Sequence, residues 1–270
     1  SLNNQANIGS EIIELISRSK MNLEKTDEIY ARYKHLKFDY PEFLFSFIRK
    51  QFELGIFTFD DMIYFALTAL ISDSALRRKY QKRFDFVLVD EFQDLNNAQL
   101  EMCKLLAMPE NNLYVVGDDD QMIYSWRGAN IDHIINFKSE NLLCKQVTLN
   151  INYRSALKIV QHSRFLIENN RVRAKKNITC FRNSINGVVE IYKGKDLIRQ
   201  AKKIGKWILK NRQDNQDWSD FGILCRFNIH RLPIALQLKK MDIPFTEIEY
   251  DKLFETDLAS EILRYLMIIV

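Results

Sequence analysis

Val87-Leu88-Val89-Asp90-Glu91-Phe92-Gln93-Asp94 is followed downstream by Val115-Val116-Gly117-Asp118-Asp119-Asp120-Gln121-Met122-Ile123-Tyr124-Ser125-Trp126-Arg127-Gly128-Ala129. Each stretch begins as an apolar run and ends in acids. A buried parallel strand that delivers carboxylates to its C-terminal end has this form. Ligands of open α/β sheets bind at those strand ends. Two such strands close together point to a nucleotide and metal site, and the Trp-Arg after the second adds a candidate nucleic-acid contact.

Around this centre the pattern alternates. Residues 86–89 and 113–116 read as strands, with helices at 98–107 and 131–137. Strand, helix and strand in this order make a right-handed parallel crossover unit. The polar stretch Lys138-Ser139-Glu140-Asn141 marks an internal boundary. A second α/β pattern follows, with strands at 147–149, 188–192, 221–225 and 244–248. Its helices are expected at 155–167, 197–209, 231–240 and 258–269. A basic, irregular connection covers 171–182.

Upstream, residues to about 83 read as helical. Ile12, Ile13, Leu15 and Ile16 start an amphipathic stretch, and Tyr40-Pro41 interrupts it. Phe43, Leu44, Phe47, Ile48 and Phe52 recur at helical spacing and read as core. Gly55 reads as a helix stop. Thr58-Phe59-Asp60-Asp61 supplies a cap and early acids for a helix over 62–70.

Composition bounds the class. The 270 residues are 47% hydrophobic and 12% aromatic, enough for a core and against global disorder. The net charge of +4 and pI of about 8.7 are compatible with nucleic acid without requiring it. The four cysteines, Cys103, Cys144, Cys180 and Cys225, have no zinc-ligand spacing and read as reduced thiols. That favours a cytoplasmic protein. A signal peptide is not evident, and no apolar run reaches the roughly 18 residues of a membrane span. The chain opens with Ser1-Leu2-Asn3-Asn4 and stops in Leu266-Met267-Ile268-Ile269-Val270, and is read as a piece of a longer protein.

The motifs suggest chemistry one by one. Asp90 at a strand end can hold Mg²⁺ directly or through water, and Glu91 can polarise a water for attack on a phosphate. Read alone, the pair is also explained as solvated acids on a turn. Asp118, Asp119 and Asp120 repel one another unless a cation or basic groups lie near. Gln121 can bond a phosphate oxygen. Tyr124, Trp126 and Arg127 suit base stacking with a phosphate contact, or equally a core aromatic pair with a surface Arg. Tyr153 can stack on a purine and Arg154 can reach a phosphate, although a plain helix start explains them as well.

Taken together, VDEFQD, VVGDDDQMIYSWRGA and LNINYRS resemble, in order and spacing, motifs II, III and IV of the UvrD/Rep/PcrA group of superfamily 1 DNA helicases. The Thr58-Phe59-Asp60-Asp61-Met62 segment resembles the family's stretch ahead of motif II. Phe221-Gly222-Ile223-Leu224-Cys225-Arg226-Phe227-Asn228 resembles a later strand. Leu253-Phe254-Glu255 with Glu261-Ile262-Leu263 resembles a further segment, so the likeness runs from about residue 56 to the C-terminus.

The resemblance implies an α/β fold: parts of two RecA-like P-loop NTPase domains with parallel sheets, plus an N-terminal helical segment. The expected division is a helical segment at 1–55 (the end of an accessory insertion), a partial first RecA-like domain at 56–143, and a partial second one at 144–270. It implies ATP and Mg²⁺ as cofactors of the complete protein and single-stranded DNA as partner. Asp90 would bind Mg²⁺, Glu91 would activate water and Gln121 would sense the γ-phosphate. Tyr124, Trp126 and Arg127 would face single-stranded DNA. Tyr153 would stack on adenine and Arg154 would touch the γ-phosphate. Movement along DNA would run 3′ to 5′.

None of the eight glycines opens G-x-x-x-x-G-K-[S/T], so this chain carries no P-loop. The family's early adenine-contacting segment and its later motifs are likewise not within it. A P-loop's backbone nest and Lys provide most of the grip on a triphosphate. The chain is therefore expected to be inactive alone, as part of an ATP-dependent helicase. The other reading is a non-catalytic helicase-like module that binds single-stranded DNA or a protein. A nuclease domain elsewhere in the parent stays open. Apolar sheet surface left uncovered in the first domain suggests a homodimer.

Overall fold

The computed structural model describes residues 2–33, 35 and 39–247. Contacts divide the chain into two compact units, Ser1–Val188 and Val189–Val270. The helix expected at 258–269 and the motif-like segment at 253–263 lie outside the described residues.

The first unit opens with helices: α1 (Leu2–Asn22), α2 (Thr26–Arg32), α3 (Tyr40–Leu54), α4 (Phe59–Ser72) and α5 (Ser74–Gln81). The interruption at Tyr40-Pro41 is a helix start. Asp39 caps α3 by accepting the Glu42 N–H at 3.1 Å, and Pro41 lies in the first turn, where its missing donor costs nothing. Gly55 ends α3 at φ 64°, a left-handed conformation suited to glycine. Thr58 and Asp61 form a reciprocal capping box on α4.

Asp61 has a second role. Its side chain is fully buried, and so is that of Lys20 on α1, which donates to it. Gln51 on α3 also donates to Asp61, at 2.8 Å, and the Lys20 ammonium lies over the rings of Phe47 and Phe65 at 5.3 and 5.8 Å. The ion pair and the Gln51 amide thus tie three helices. Burial pushes the Asp61 carboxyl up, but the bonds from Lys20, Thr58 and Gln51 more than offset this and hold it below its ordinary range. Nearby, Leu15, Ile29 and Tyr40 form a buried cluster flanked by Tyr33 and Leu44.

After the helices comes β1 (Val87–Val89), then α6 (Asn97–Ala107) and β2 (Leu113–Val115). The two strands are parallel, with Val87 opposite Leu113 and Val89 opposite Val115. Together with α6 they form the expected crossover unit, and α6 packs on α1, α4 and α5 as well as on both strands. Val87, Val89, Leu113 and Val115 are half-buried, while Leu88 and Tyr114 on the alternate face are 71% and 62% exposed. The helix expected over 131–137 is two short ones, α7 (Asp132–Ile135) and α8 (Phe137–Glu140), separated at Asn136. Phe137 packs edge-on against the fully buried Phe92 at 5.2 Å.

The remainder of this unit contains β3 (Ile151–Asn152), α9 (Leu157–Ile167) and β4 (Thr179–Cys180). β3 and β4 pair in parallel. The strand expected at 147–149 is not formed: Val147 and Leu149 are each 81% exposed, and the pairing begins at Ile151. A strand exists only where a neighbour accepts its ladder bonds. β4 lies inside the connection expected to be irregular.

The second unit packs α10 (Leu197–Asn211) on α11 (Arg231–Lys240) through Ile208, Leu238 and Ile243, flanked by Trp218 and Phe221. Residues 189–192, 221–225 and 244–247 were expected to belong to strands but form no ladder, and Leu224 is fully exposed. Hydrophobic sequence alone does not supply the missing partner strand. The fold is accordingly a partial α/β one, with mixed helices and two short parallel sheets. Among the described residues no single helix is long and apolar enough to cross a membrane.

Lys20→Met leaves the Asp61 carboxylate buried without its counter-charge. It should cost about 3–5 kcal/mol in urea unfolding at neutral pH. Because the Asp61 pKa is depressed, the stability it contributes should be present at neutral pH and be lost as pH falls through its folded value. A loss below about 1 kcal/mol would show that the helices hold together without the pair.

Candidate functional site

β1 ends at Val89, and the chain then turns sharply. Glu91 has φ 49° and ψ 44°, a left-handed conformation uncommon outside glycine. Such backbone persists where its surroundings enforce it, often at functional sites. The turn leads into the 3-10 segment Phe92–Asp94 and leaves Asp90 and Glu91 exposed at the strand end. The Glu91 N–H donates to Asp90 Oδ1 at 2.9 Å.

Gln93 joins this end to that of β2. Its carboxamide is 1% exposed. Nε2 donates to Glu91 Oε2 at 2.7 Å, and Oε1 accepts the Asp118 N–H at 2.9 Å. The ladder continues beside it, with Val116 N–H to Val89 O at 2.8 Å and Phe92 N–H to Val116 O at 2.9 Å. A Cβ on Gly117 would meet Gln93 Oε1 at 2.6 Å and Ile134 Cδ1 at 2.8 Å. Glycine is what lets the carboxamide pass. Asp118 also accepts from Gln121 Nε2, at 2.8 Å. A continuous set of hydrogen bonds therefore runs Glu91, Gln93, Asp118, Gln121.

The three successive acids are not a solvated loop. Lys176 donates to Asp118 and Asp119 and lies 3.0 Å from Asp120. Arg173 grips Asp120 with Nε at 3.1 Å and Nη2 at 2.8 Å. The Ala174 N–H donates to Asp119 Oδ2 at 2.8 Å, and Asn170 Nδ2 to Asp120 at 3.2 Å. Burial pushes the Asp118 and Asp120 carboxyls up. The hydrogen bonds and charges of the basic residues, helped at Asp118 by Gln121, outweigh it and hold both below the ordinary range. These basic groups answer the repulsion seen in the sequence. Arg173 and Lys176 were not singled out there, and their only signal was the basic run at 171–182.

Downstream, Tyr124, Trp126 and Arg127 share one exposed turn. The Arg127 guanidinium lies 4.9 Å from the Trp126 ring centroid and 5.6 Å from that of Tyr124, and Trp126 is 71% exposed. This removes the reading of a core aromatic pair. Gly128 closes the turn at φ 85°, and a Cβ there would run into Asn22 Oδ1 at the end of α1. Further along, Asn152 Oδ1 accepts the N–H groups of Arg154 and Ser155 at 3.0 and 2.8 Å, which fixes the turn out of β3. Tyr153 packs against Phe181 with the rings tilted at 40° and their centroids 4.7 Å apart, and remains exposed. The Arg154 guanidinium has no acidic partner among the described residues.

Two family models match the chain: the UvrD/REP helicase N-terminal domain over residues 2–141, and the UvrD-like helicase C-terminal domain over 147–270. The chain belongs to the UvrD/Rep helicase family. It is 31% identical over 232 residues to the ATP-dependent DNA helicase Rep of Buchnera aphidicola, covering 84% of this chain and 36% of that protein. It is 32% identical over 211 residues to the ATP-dependent DNA helicase PcrA of Staphylococcus epidermidis, covering 78% and 29%. A putative ATP-dependent DNA helicase of Bacillus subtilis, YjcD, is 32% identical over 240 residues, covering 88% and 30%. The chain spans about a third of the length of the curated relatives it matches.

Within this family frame, Asp90 is the residue at the β1 end that could ligate a hard divalent cation. Asp90 uses one oxygen for the Glu91 N–H and leaves the other open to solvent. Nearby, Asp94 Oδ1 is buried without a partner. Burial, and then the Glu91 charge, hold the Asp94 carboxyl above its ordinary range. The space between Asp118, Asp119 and Asp120, by contrast, is filled by the Lys176 ammonium.

Gln93→Met keeps the volume and removes both bonds of the bridge, leaving the Asp118 N–H without an acceptor. We expect a loss of about 1–3 kcal/mol in denaturant unfolding. A change within about 0.5 kcal/mol, the range of an ordinary surface substitution, would show that the strand ends hold each other unaided.

Proposed function

We propose that this chain carries the water-activating, phosphate-sensing and strand-contacting parts of an ATP-dependent DNA helicase that moves 3′ to 5′ on single-stranded DNA. The observation that carries this is the hydrogen-bonded series Glu91, Gln93, Asp118, Gln121 across two parallel strand ends. It couples a candidate water-activating carboxylate to a candidate phosphate sensor. Asp90 would hold Mg²⁺, which when bound neutralises charge on the phosphates of ATP. Glu91, held at one oxygen by Gln93, keeps the other to orient a water and take its proton. Gln121 can turn from Asp118 to a phosphate oxygen. Arg154, exposed beyond β3, would supply a positive charge for the same phosphate, and Tyr153 a ring for adenine.

The Tyr124, Trp126 and Arg127 turn suits a single strand. Every base offers a face for stacking on Trp126, and Arg127 is placed to meet the backbone. The domain division at 143/144 remains our reading of how the chain is built. Four free cysteines support a reducing, cytosolic setting. We also read the exposed Leu88 and Tyr114 face as one that a second copy can cover. Light scattering at high concentration should then show a dimer that Leu88→Lys disperses, and a monomer at all concentrations would reject that reading.

No P-loop lies within these residues, so the 270-residue chain should show no ATP turnover, with or without single-stranded DNA. Expressed together with the coding sequence on either side, it should hydrolyse ATP in a DNA-stimulated manner. Glu91→Gln should cut that rate by about 10²- to 10⁴-fold. Trp126→Ala should weaken oligonucleotide binding about 5- to 150-fold, the equivalent of one lost stack. Turnover by the longer protein that is indifferent to Glu91→Gln would overturn the assignment.

A further inference from the structure

We propose that Lys176 and Arg173 are positioning residues: a charged clasp that holds Gln121 in place and ties the end of β2 to the β3–β4 pair that leads into Tyr153 and Arg154. The significance of the clasp rests on the hydrolytic reading above, but its geometry is independent of that reading.

Asp118, Asp119 and Asp120 cannot all be ionised at close quarters without compensation. Like charges this close repel strongly in the partly buried setting they occupy. The clasp divides the task by shape. An ammonium carries three donors around a point charge, and Lys176 turns it toward all three carboxylates. A guanidinium presents a planar fork, and Arg173 uses it on Asp120 alone. The Ala174 N–H and Asn170 amide close the remaining sides, so a whole segment wraps the acids.

The consequence for Gln121 follows from Asp118. That carboxylate anchors the Gln121 amide through Oδ2, caps the following 3-10 turn by accepting the Asp120 N–H at 3.2 Å, and meets Lys176 through Oδ1. With Lys176 removed, Asp118 is drawn toward solvent and away from Asp119, and the Gln121 anchor goes with it. On its other side the clasp continues directly into β4. There the Phe181 N–H donates to Asn152 O at 2.9 Å, and Cys180 Sγ donates to Ser155 O at 3.2 Å. Tyr153 and Arg154 lie between those two acceptors. A short path of charge and ladder bonds therefore connects the proposed phosphate sensor with the proposed arginine.

The test is the side-chain amide signal of Gln121 in a two-dimensional nitrogen-15 spectrum of this chain, assigned by its disappearance in Gln121→Glu. Lys176→Met should shift that signal to the position of a free glutamine amide, while the indole N–H signals of Trp207 and Trp218 stay in place. Lys176→Arg, which keeps the charge, should bring it back towards the original position, a rescue that a general loss of packing would not give. A Gln121 signal unmoved in Lys176→Met would overturn the proposal, and so would one that Lys176→Arg leaves at the free position. If Lys176→Met does not fold, Lys176→Gln, which removes the charge but keeps a polar head, is read in the same way. Neither nucleotide nor DNA enters the measurement. Loss of the proposed hydrolytic role would leave the clasp standing, and loss of the clasp would leave that role standing.

Discussion

The carboxamide of Gln93 is shared by two strands that are each only three residues long. Strands so short have few ladder bonds with which to fix their own ends. A buried group able to donate on one side and accept on the other settles the matter. It holds the Glu91 carboxylate at one end and the Asp118 backbone at the other, and the left-handed turn at Glu91 and the glycine at 117 make room for it. Asp90, Glu91, Asp118 and Gln121 owe their relative placement to this bridge. The exposed carboxylates can then face outward without the strand ends splaying.

Charge is handled by the same logic in two places. Lys20 and Asp61 are buried together and with Gln51 join three helices, while Lys176 and Arg173 neutralise three acids at a strand end. In both, burial penalises the carboxylates and hydrogen-bonded cations more than offset the penalty. Such pairs add little net stability, because desolvation offsets their attraction, yet removing one partner strands a charge that the protein cannot solvate. The first pair fixes the helical layer on which α6 rests. The second fixes the loop from which Gln121, Trp126 and Arg127 project.

The family models divide the chain between residues 141 and 147, whereas compactness divides it between Val188 and Val189. The difference has a local cause. The segment from Asn170 to Lys176 belongs by family to the C-terminal part, yet its side chains and the Ala174 N–H bond to the acids of the N-terminal part. Contact follows the ion cluster, and family boundaries follow the chain.

By itself the sequence determined the helix caps at Thr58 and Gly55, the crossover of β1, α6 and β2, and the family, because each depends on neighbours in the chain or on a long motif. It also placed Asp90, Glu91 and Gln121 at strand ends, since an apolar run that gives way to acids marks where a buried strand leaves the sheet. It misplaced the strands expected at 147–149 and 221–225, because a strand is a property of two segments and only one of them can be read at a time. Tertiary structure alone decided that Gln93 is a bridge, that Tyr124 and Trp126 face solvent, and that Lys176 lies among three aspartates. Those contacts join residues many positions apart, and their energy comes from burial and charge compensation that no local pattern records.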